Sequence, residues 1–114
     1  MTAPDDTRRA PRRAVPDMVP VTDTMTGQVI GRLGNISETG MLLVASTQVT
    51  DDALYQLRFA LPNQGRPQEI EIGVHHIWSE AANGNGQNWV GFRFIDIGSK
   101  VLDALRAYIG PGDE

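Results

Sequence analysis

Residues 69–97, EIEIGVHHIWSEAANGNGQNWVGFRFIDI, decide the fold. Their first ten positions alternate. Ile70, Ile72, Val74, His76 and Trp78 share one face of an extended chain, and Glu69, Glu71, Gly73, His75 and Ile77 share the other. Successive side chains of a strand point to opposite sides, so this pattern predicts a half-buried strand over Glu69–Trp78. Ala82–Asn88 follows, with Asn-Gly steps at Asn83-Gly84 and Asn85-Gly86. Asparagine and glycine tolerate the positive φ of tight hairpin turns, so the chain is expected to reverse there. Trp89–Ile97 returns as a second strand with Val90, Phe92 and Phe94 on one face. The segment is an antiparallel hairpin, and it sets the class as mainly β.

Working upstream, Leu54–Leu61 alternates in the same way, with Leu57, Phe59 and Leu61 on one face, and Pro62–Pro67 makes a hairpin connection to Glu69. The apolar run Met41–Ala45 follows Gly40 and is short enough for a buried strand. Gln28–Ile36 contains Val29, Ile30, Leu33 and Ile36, broken by Gly31 and Gly34. Glycine inside a strand marks a bulge or bend, which a barrel corner needs. Val15–Thr24 is β-rich but carries Pro16 and Pro20, which confine it to an edge or an irregular leading strand.

Downstream, Ser99 is placed as a helix N-cap. Val101, Leu102, Leu105, Tyr108 and Ile109 recur at helical spacing, so Lys100–Ile109 reads as an amphipathic helix stopped by Gly110-Pro111-Gly112. Six short antiparallel strands leave edges exposed unless they close. The expected fold is therefore a six-stranded antiparallel β-barrel with the C-terminal helix plugging one end. Residues 1–14 lack apolar periodicity and are assigned as a flexible basic N-terminal arm, with the barrel and helix spanning 15–110.

Composition narrows the function. A chain of 114 residues holds one core, and no cysteine is present, which excludes disulfides, thiolate metal sites and a cysteine nucleophile. No apolar run is long enough to span a membrane and no signal-peptide core follows Met1, so the expected location is cytoplasmic. The net charge is −4, yet Arg8, Arg9, Arg12 and Arg13 outweigh Asp5 and Asp6 at the N-terminus, leaving an acidic body. An acidic body repels nucleic-acid polymers, while an arginine arm can capture a small anion. His75 and His76 are adjacent on a strand, point to opposite faces, and cannot share one metal. Ser37 has no neighbouring base and no G-x-S-x-G elbow, and no G-x-x-x-x-G-K phosphate loop exists. Neither catalysis nor a cofactor nor a metal is expected.

Two clusters stand apart from the core pattern. The first is Arg8-Arg9-Ala10-Pro11-Arg12-Arg13. Arginine forks bind phosphate oxygens bidentately and can pair with the O6/N7 edge of guanine. The second is Asn35-Ile36-Ser37-Glu38-Thr39-Gly40, between two strands. Asn and Ser hold turns through their side chains, and Gly40 suits a positive φ or close approach of a ligand.

In order and on this strand pattern, R-x-x-x-R followed by N-x-S-x-x-G resembles the PilZ domain, a bacterial receptor module for the second messenger cyclic di-GMP. The Ile77-Trp78 strand end, the Gly91-Phe92-Arg93-Phe94 strand and the terminal helix are similar too. The resemblance implies that Arg8 and Arg12 take phosphates and guanine edges with Arg9 flanking, that Asn35 and Ser37 contact a guanine or ribose, and that Gly40 admits the backbone. Arg9 and Arg13 match the arginine spacing equally well, so the register stays open between Arg8/Arg12 and Arg9/Arg13. The family's pattern also takes Asp where this chain has Asn35, which removes a charge that could accept from guanine. The implied activity is non-enzymatic: binding cyclic di-GMP and relaying the signal to a partner protein, without membrane insertion. The alternative is a barrel of the same kind that serves as a protein-interaction adaptor and binds no nucleotide.

Overall fold

Alternation of apolar and polar residues becomes a closed sheet in the computed structural model, which describes residues 12–15, 18–62, 66–82 and 86–110. The strands are β1 (Arg13–Ala14), β2 (Pro20–Asp23), β3 (Gln28–Ile36), β4 (Gly40–Ala45), β5 (Leu54–Leu61), β6 (Gln68–Ala82) and β7 (Gln87–Asp96), followed by helix α1 (Ser99–Ile109). Every pairing is antiparallel. The order β3-β2-β5-β6-β7-β4 returns to β3, so six strands close into a barrel. Closure removes the exposed edges that an open sheet of these strands would carry.

Of the expected leading strand Val15–Thr24, the structure forms Pro20–Asp23, and a separate two-residue strand, Arg13–Ala14, precedes it. Pro20–Asp23 pairs with Gln28–Arg32 of β3, while Arg13–Ala14 pairs further along β3 with Ile36 and Asn35. Both pieces lie on the same side of β3, joined to it by Val15 N–H to the Gly34 carbonyl and Leu33 N–H to the Val19 carbonyl, each 2.9 Å. Among the described residues strand pairing therefore begins at Arg13, within the stretch assigned to the arm. Pro16, invoked for the irregularity, lies outside the described residues, as do Arg8, Arg9, Asn83–Asn85 and Pro111.

The core follows from the alternation. Leu33, Ile36, Met41, Leu43, Leu57, Ile72, Val74 and Leu105 are fully or almost fully buried inside the barrel. Helix α1 contributes Leu105, with Val101, Ala104, Tyr108 and Ile109 packed against the same core. Its N-terminus corrects the expected cap. Ser99 is already helical, the N-cap is Gly98, and no side chain caps the first amides. At the other end Gly110 takes φ 83° and its N–H meets the Arg106 carbonyl, a glycine stop.

Four register shifts bend the sheet. One lies between Val21 and Thr22 against β3, and one between Leu33 and Asn35 where Gly34 is the extra residue. On β6 a shift between His76 and Trp78 leaves Ile77 unmatched, and another falls between Gly73 and Val74. The first two use the stretch around Gly31 and Gly34, where strand glycines predicted a bend. The shift at Ile77 was not predicted, and it changes which face Trp78 occupies.

Candidate functional site

The Ile77 bulge reverses the alternation at the end of β6. Strict alternation put Trp78 on the core face with Ile70, Ile72 and His76. With one residue inserted, Trp78 faces outward and is 42% exposed, while His76 stays buried at 3%. Trp78 pairs with Gly91, Gly91 with Leu42, and Leu42 with Asn35. A single row thus crosses four strands on the outer surface of the barrel, from β6 through β7 and β4 to β3.

Glycine makes that row usable. A Cβ on Gly91 would overlap the Trp78 indole, so only glycine lets the ring lie flat against β7. Trp89, paired with Val44, lies at ordinary contact distance from Gly34, where a Cβ would meet its Cζ3 at 3.6 Å and the Leu42 carbonyl oxygen at 3.2 Å. The outer face beside Asn35 therefore carries the Trp78 indole seated on Gly91, with Trp89 near Gly34. This aromatic surface was missed in the sequence because the face of Trp78 depends on the bulge, although Ile77-Trp78 and the Gly91–Phe94 strand were each singled out.

Arg12 completes the site. Its Nη1 donates to the Asn35 Oδ1 at 2.7 Å, joining the end of the arginine cluster to the start of the second motif. Arg12, Asn35, Leu42, Ile77, Trp78 and Gly91 line a cavity of about 160 Å³. Closed small-molecule sites run to roughly 300–1,000 Å³. The cavity can seat one ring of a larger ligand whose remainder lies on the barrel surface. Arg12 is exposed by surface area, yet the protein around it displaces enough water to push its guanidinium pKa below the usual arginine value. Desolvation costs a cation hydration that a neutral amide oxygen replaces only in part. Among the described residues no carboxylate is within ion-pair distance of Arg12. The site holds a guanidinium suited to an incoming anion.

Arg13 goes elsewhere. Its Nη1 donates to the Tyr108 carbonyl near the end of α1, and its guanidinium lies 4.2 Å from the Tyr108 ring centroid. Successive residues of an extended chain point to opposite sides, so Arg12 and Arg13 cannot both face Asn35 in this arrangement. The geometry brings Arg12, and not Arg13, to the second motif. Arg8 and Arg9 lie outside the described residues.

The second motif divides by position. Asn35 faces the cavity. Ser37 is fully buried, and its Oγ accepts from the Thr39 and Gly40 amides at 3.1 and 3.2 Å. The Ser37 amide donates to the Gly40 carbonyl at 2.9 Å. Ser37 thus shapes the bend between β3 and β4, with its hydroxyl occupied by the backbone. Gly40 has no positive φ, contrary to one ground for singling it out. It is glycine because a Cβ would overlap the Phe92 carbonyl oxygen on β7. Glu38, at the tip, pairs with Arg106 of α1 at 3.1 Å.

The histidines serve the neighbouring connection. Asp52 takes φ 61°, donates its amide to His76 Nδ1 at 2.9 Å, and places its carboxylate 2.6 Å from His75 Nε2. In the neutral ring the His76 hydrogen is then on Nε2, which reaches Ser79 Oγ at 2.8 Å. This pins the β4–β5 connection against β6 just before the bulge that turns Trp78 outward.

Comparison with known proteins agrees with this architecture. The PilZ domain family model matches residues 6–110. The inhibitor of motility MotI/DgrA of Bacillus subtilis superposes with a TM-score of 0.77 at 16% identity, over 90% of this chain and 48% of that one. The chain spans about half of that protein's length. The PilZ domain of YcgR from Escherichia coli, solved with c-di-GMP, gives a TM-score of 0.66 at 18% identity, covering 90% of this chain and 88% of that one. A tetrameric PilZ protein from Xanthomonas campestris gives 0.51 at 21% identity, over 69% of this chain and 42% of that one. No curated protein matches the sequence. At these identities the structures speak for the fold, and the family match over nearly the whole chain establishes that it belongs to the PilZ domain family.

Proposed function

We propose that this domain is a receptor for cyclic di-GMP that binds the dinucleotide on the outer face of the barrel and passes the signal to a partner protein without chemical conversion. The observation that carries the reading is the Arg12–Asn35 junction beside the Trp78 cavity. It joins the two motif segments at one place and supplies a guanidinium for a phosphate or guanine edge, an amide for a base or ribose, and an indole for stacking. The related YcgR domain, solved with c-di-GMP, supports the ligand class.

In this reading Arg12 grips the ligand directly and Asn35 reads its polar edge. Arg8, four residues upstream, closes over the same ligand with Arg9 beside it. Ser37 and Gly40 act by setting the bend that presents Asn35. Ordering an arm costs roughly 1–2 kcal/mol per residue, while each charge-assisted hydrogen bond contributes about 1.5–3 kcal/mol. Several arginine contacts and a stacked base are therefore required, and net binding near −8 kcal/mol, about micromolar, is expected. Folding of the arm over the ligand changes the surface offered to a partner, which supplies the relay.

Calorimetric titration with cyclic di-GMP tests the reading. Saturable heat with a dissociation constant around micromolar is expected for the full chain, and it should vanish or weaken strongly in Arg8→Ala and Arg12→Ala. A folded protein that takes up no nucleotide would leave the adaptor reading in its place.

A further inference from the structure

Two consecutive arginines at the start of the barrel have separate destinations, Arg12 on Asn35 and Arg13 on Tyr108. The strand that carries Arg13 is two residues long, Arg13–Ala14. Two pairings with β3 and the Val15 amide are its backbone attachment. So short a ladder has little independent stability. Its orientation matters all the same, because rotation by one residue would exchange the faces of Arg12 and Arg13.

Helix α1 supplies the missing anchor. The last four carbonyls of a helix have no partner within it, and they carry partial negative charge. Arg13 donates to one of these, that of Tyr108, and covers the ring of the same residue at cation–π distance. The helix is fixed in turn by Leu105 in the core and by Arg106 on Glu38, at the tip of the second motif. One element thus holds the end of the arginine cluster and the bend that follows Asn35.

We propose that Tyr108 is a positioning residue for ligand binding: by clamping Arg13 it fixes the register of β1 so that Arg12 faces Asn35 and the cavity. The proposal rests on the cyclic di-GMP reading above for its effect on affinity, but the clamp itself consists of contacts within the chain. Arg13 acts through strand orientation and does not touch the nucleotide. This explains why, of two equivalent arginine spacings, one serves the site.

The test combines nucleotide titration with hydrogen exchange at the Val15 amide in the absence of nucleotide, on wild type, Arg13→Ala, Tyr108→Leu, Tyr108→Phe and the Arg13→Ala/Tyr108→Leu double variant. Leucine keeps apolar packing on the core without an aromatic face, and phenylalanine keeps the face without the hydroxyl. Arg13→Ala and Tyr108→Leu are each expected to weaken binding roughly three- to tenfold, the scale of an exposed to partly desolvated cation–π contact. The double variant should be no worse than either single one, Tyr108→Phe should bind like wild type, and Val15 should exchange faster wherever binding falls. Loss of affinity in Arg13→Ala with normal binding and exchange in Tyr108→Leu would overturn the proposal, since Arg13 would then grip the ligand itself. Unchanged Val15 exchange in both single variants would overturn it too. If wild type binds no cyclic di-GMP but Val15 exchange responds as described, the clamp stands and the ligand assignment falls.

Discussion

The first half of β6 and its second half obey different rules. From Gln68 to Val74 the strand alternates against β5 without interruption, and Ile70, Ile72 and Val74 are buried in the barrel. From His76 onward the Ile77 bulge turns Trp78 to the outside, where it lies on Gly91 beside Leu42, Asn35 and Arg12. The regular half builds the core, and the irregular half builds the candidate site. A bulge re-aims a side chain at the cost of a ladder position, and it is used here at the place where an aromatic surface meets the arginine cluster.

If the two halves have separate tasks, substitutions should separate stability from binding. The largest effect is expected on the regular side. Leu57→Ala removes a fully buried side chain opposite Ile72 and should cost about 2–5 kcal/mol in urea unfolding, with affinity per folded molecule unchanged. Arg12→Ala should do the reverse, losing about 1.5–3 kcal/mol of cyclic di-GMP binding by calorimetry. Its unfolding midpoint should move little, by about 0.5 kcal/mol or less, as for surface substitutions elsewhere.

Ser37→Ala breaks the separation, because Ser37 is buried and yet shapes the bend. Two backbone amides lose their acceptor, so stability should fall by about 1–3 kcal/mol and binding should weaken with it. Full binding in a destabilised Ser37→Ala protein would show that the bend does not set the Asn35 position. The smallest effect is expected for Trp78→Ala, about 0.5–1.5 kcal/mol of binding from lost stacking. Gly91→Ala should match it in titrations and shift the tryptophan emission, since the new methyl occupies the seat of the indole. Tight binding in Gly91→Ala would detach the aromatic row from the site.

The same contrast explains what the sequence made legible. The barrel followed from period-two stretches and turn residues, as at Leu57, Phe59 and Leu61, whose burial depends only on alternation. Helix α1 followed from its apolar spacing and glycine stop, though its cap did not, because Gly98 and Ser99 are distinguished by backbone angles. Arg12 and Asn35 were singled out by residue chemistry and motif order, and the fold brings them within 2.7 Å. Trp78 was put on the wrong face, because Ile77 has no glycine or proline to mark a bulge. The register of the arginines was undecidable for another reason. Arg13 meets Tyr108, 95 positions away, and no local pattern records so distant a contact. Gly40 was read for its φ or a ligand, whereas its constraint comes from the Phe92 carbonyl on a neighbouring strand.

The central claim is that an arginine, an asparagine and an indole on the outside of the barrel receive cyclic di-GMP. A titration followed by two-dimensional NMR tests it most directly. The account predicts the largest shifts at the Arg12 and Asn35 amides, the Trp78 indole N–H and Gly91, with the Leu57, Phe59 and Ile72 amides nearly still. Saturating nucleotide that leaves those outer signals unmoved in a folded protein, or that moves only residues on another face of the barrel, would contradict it.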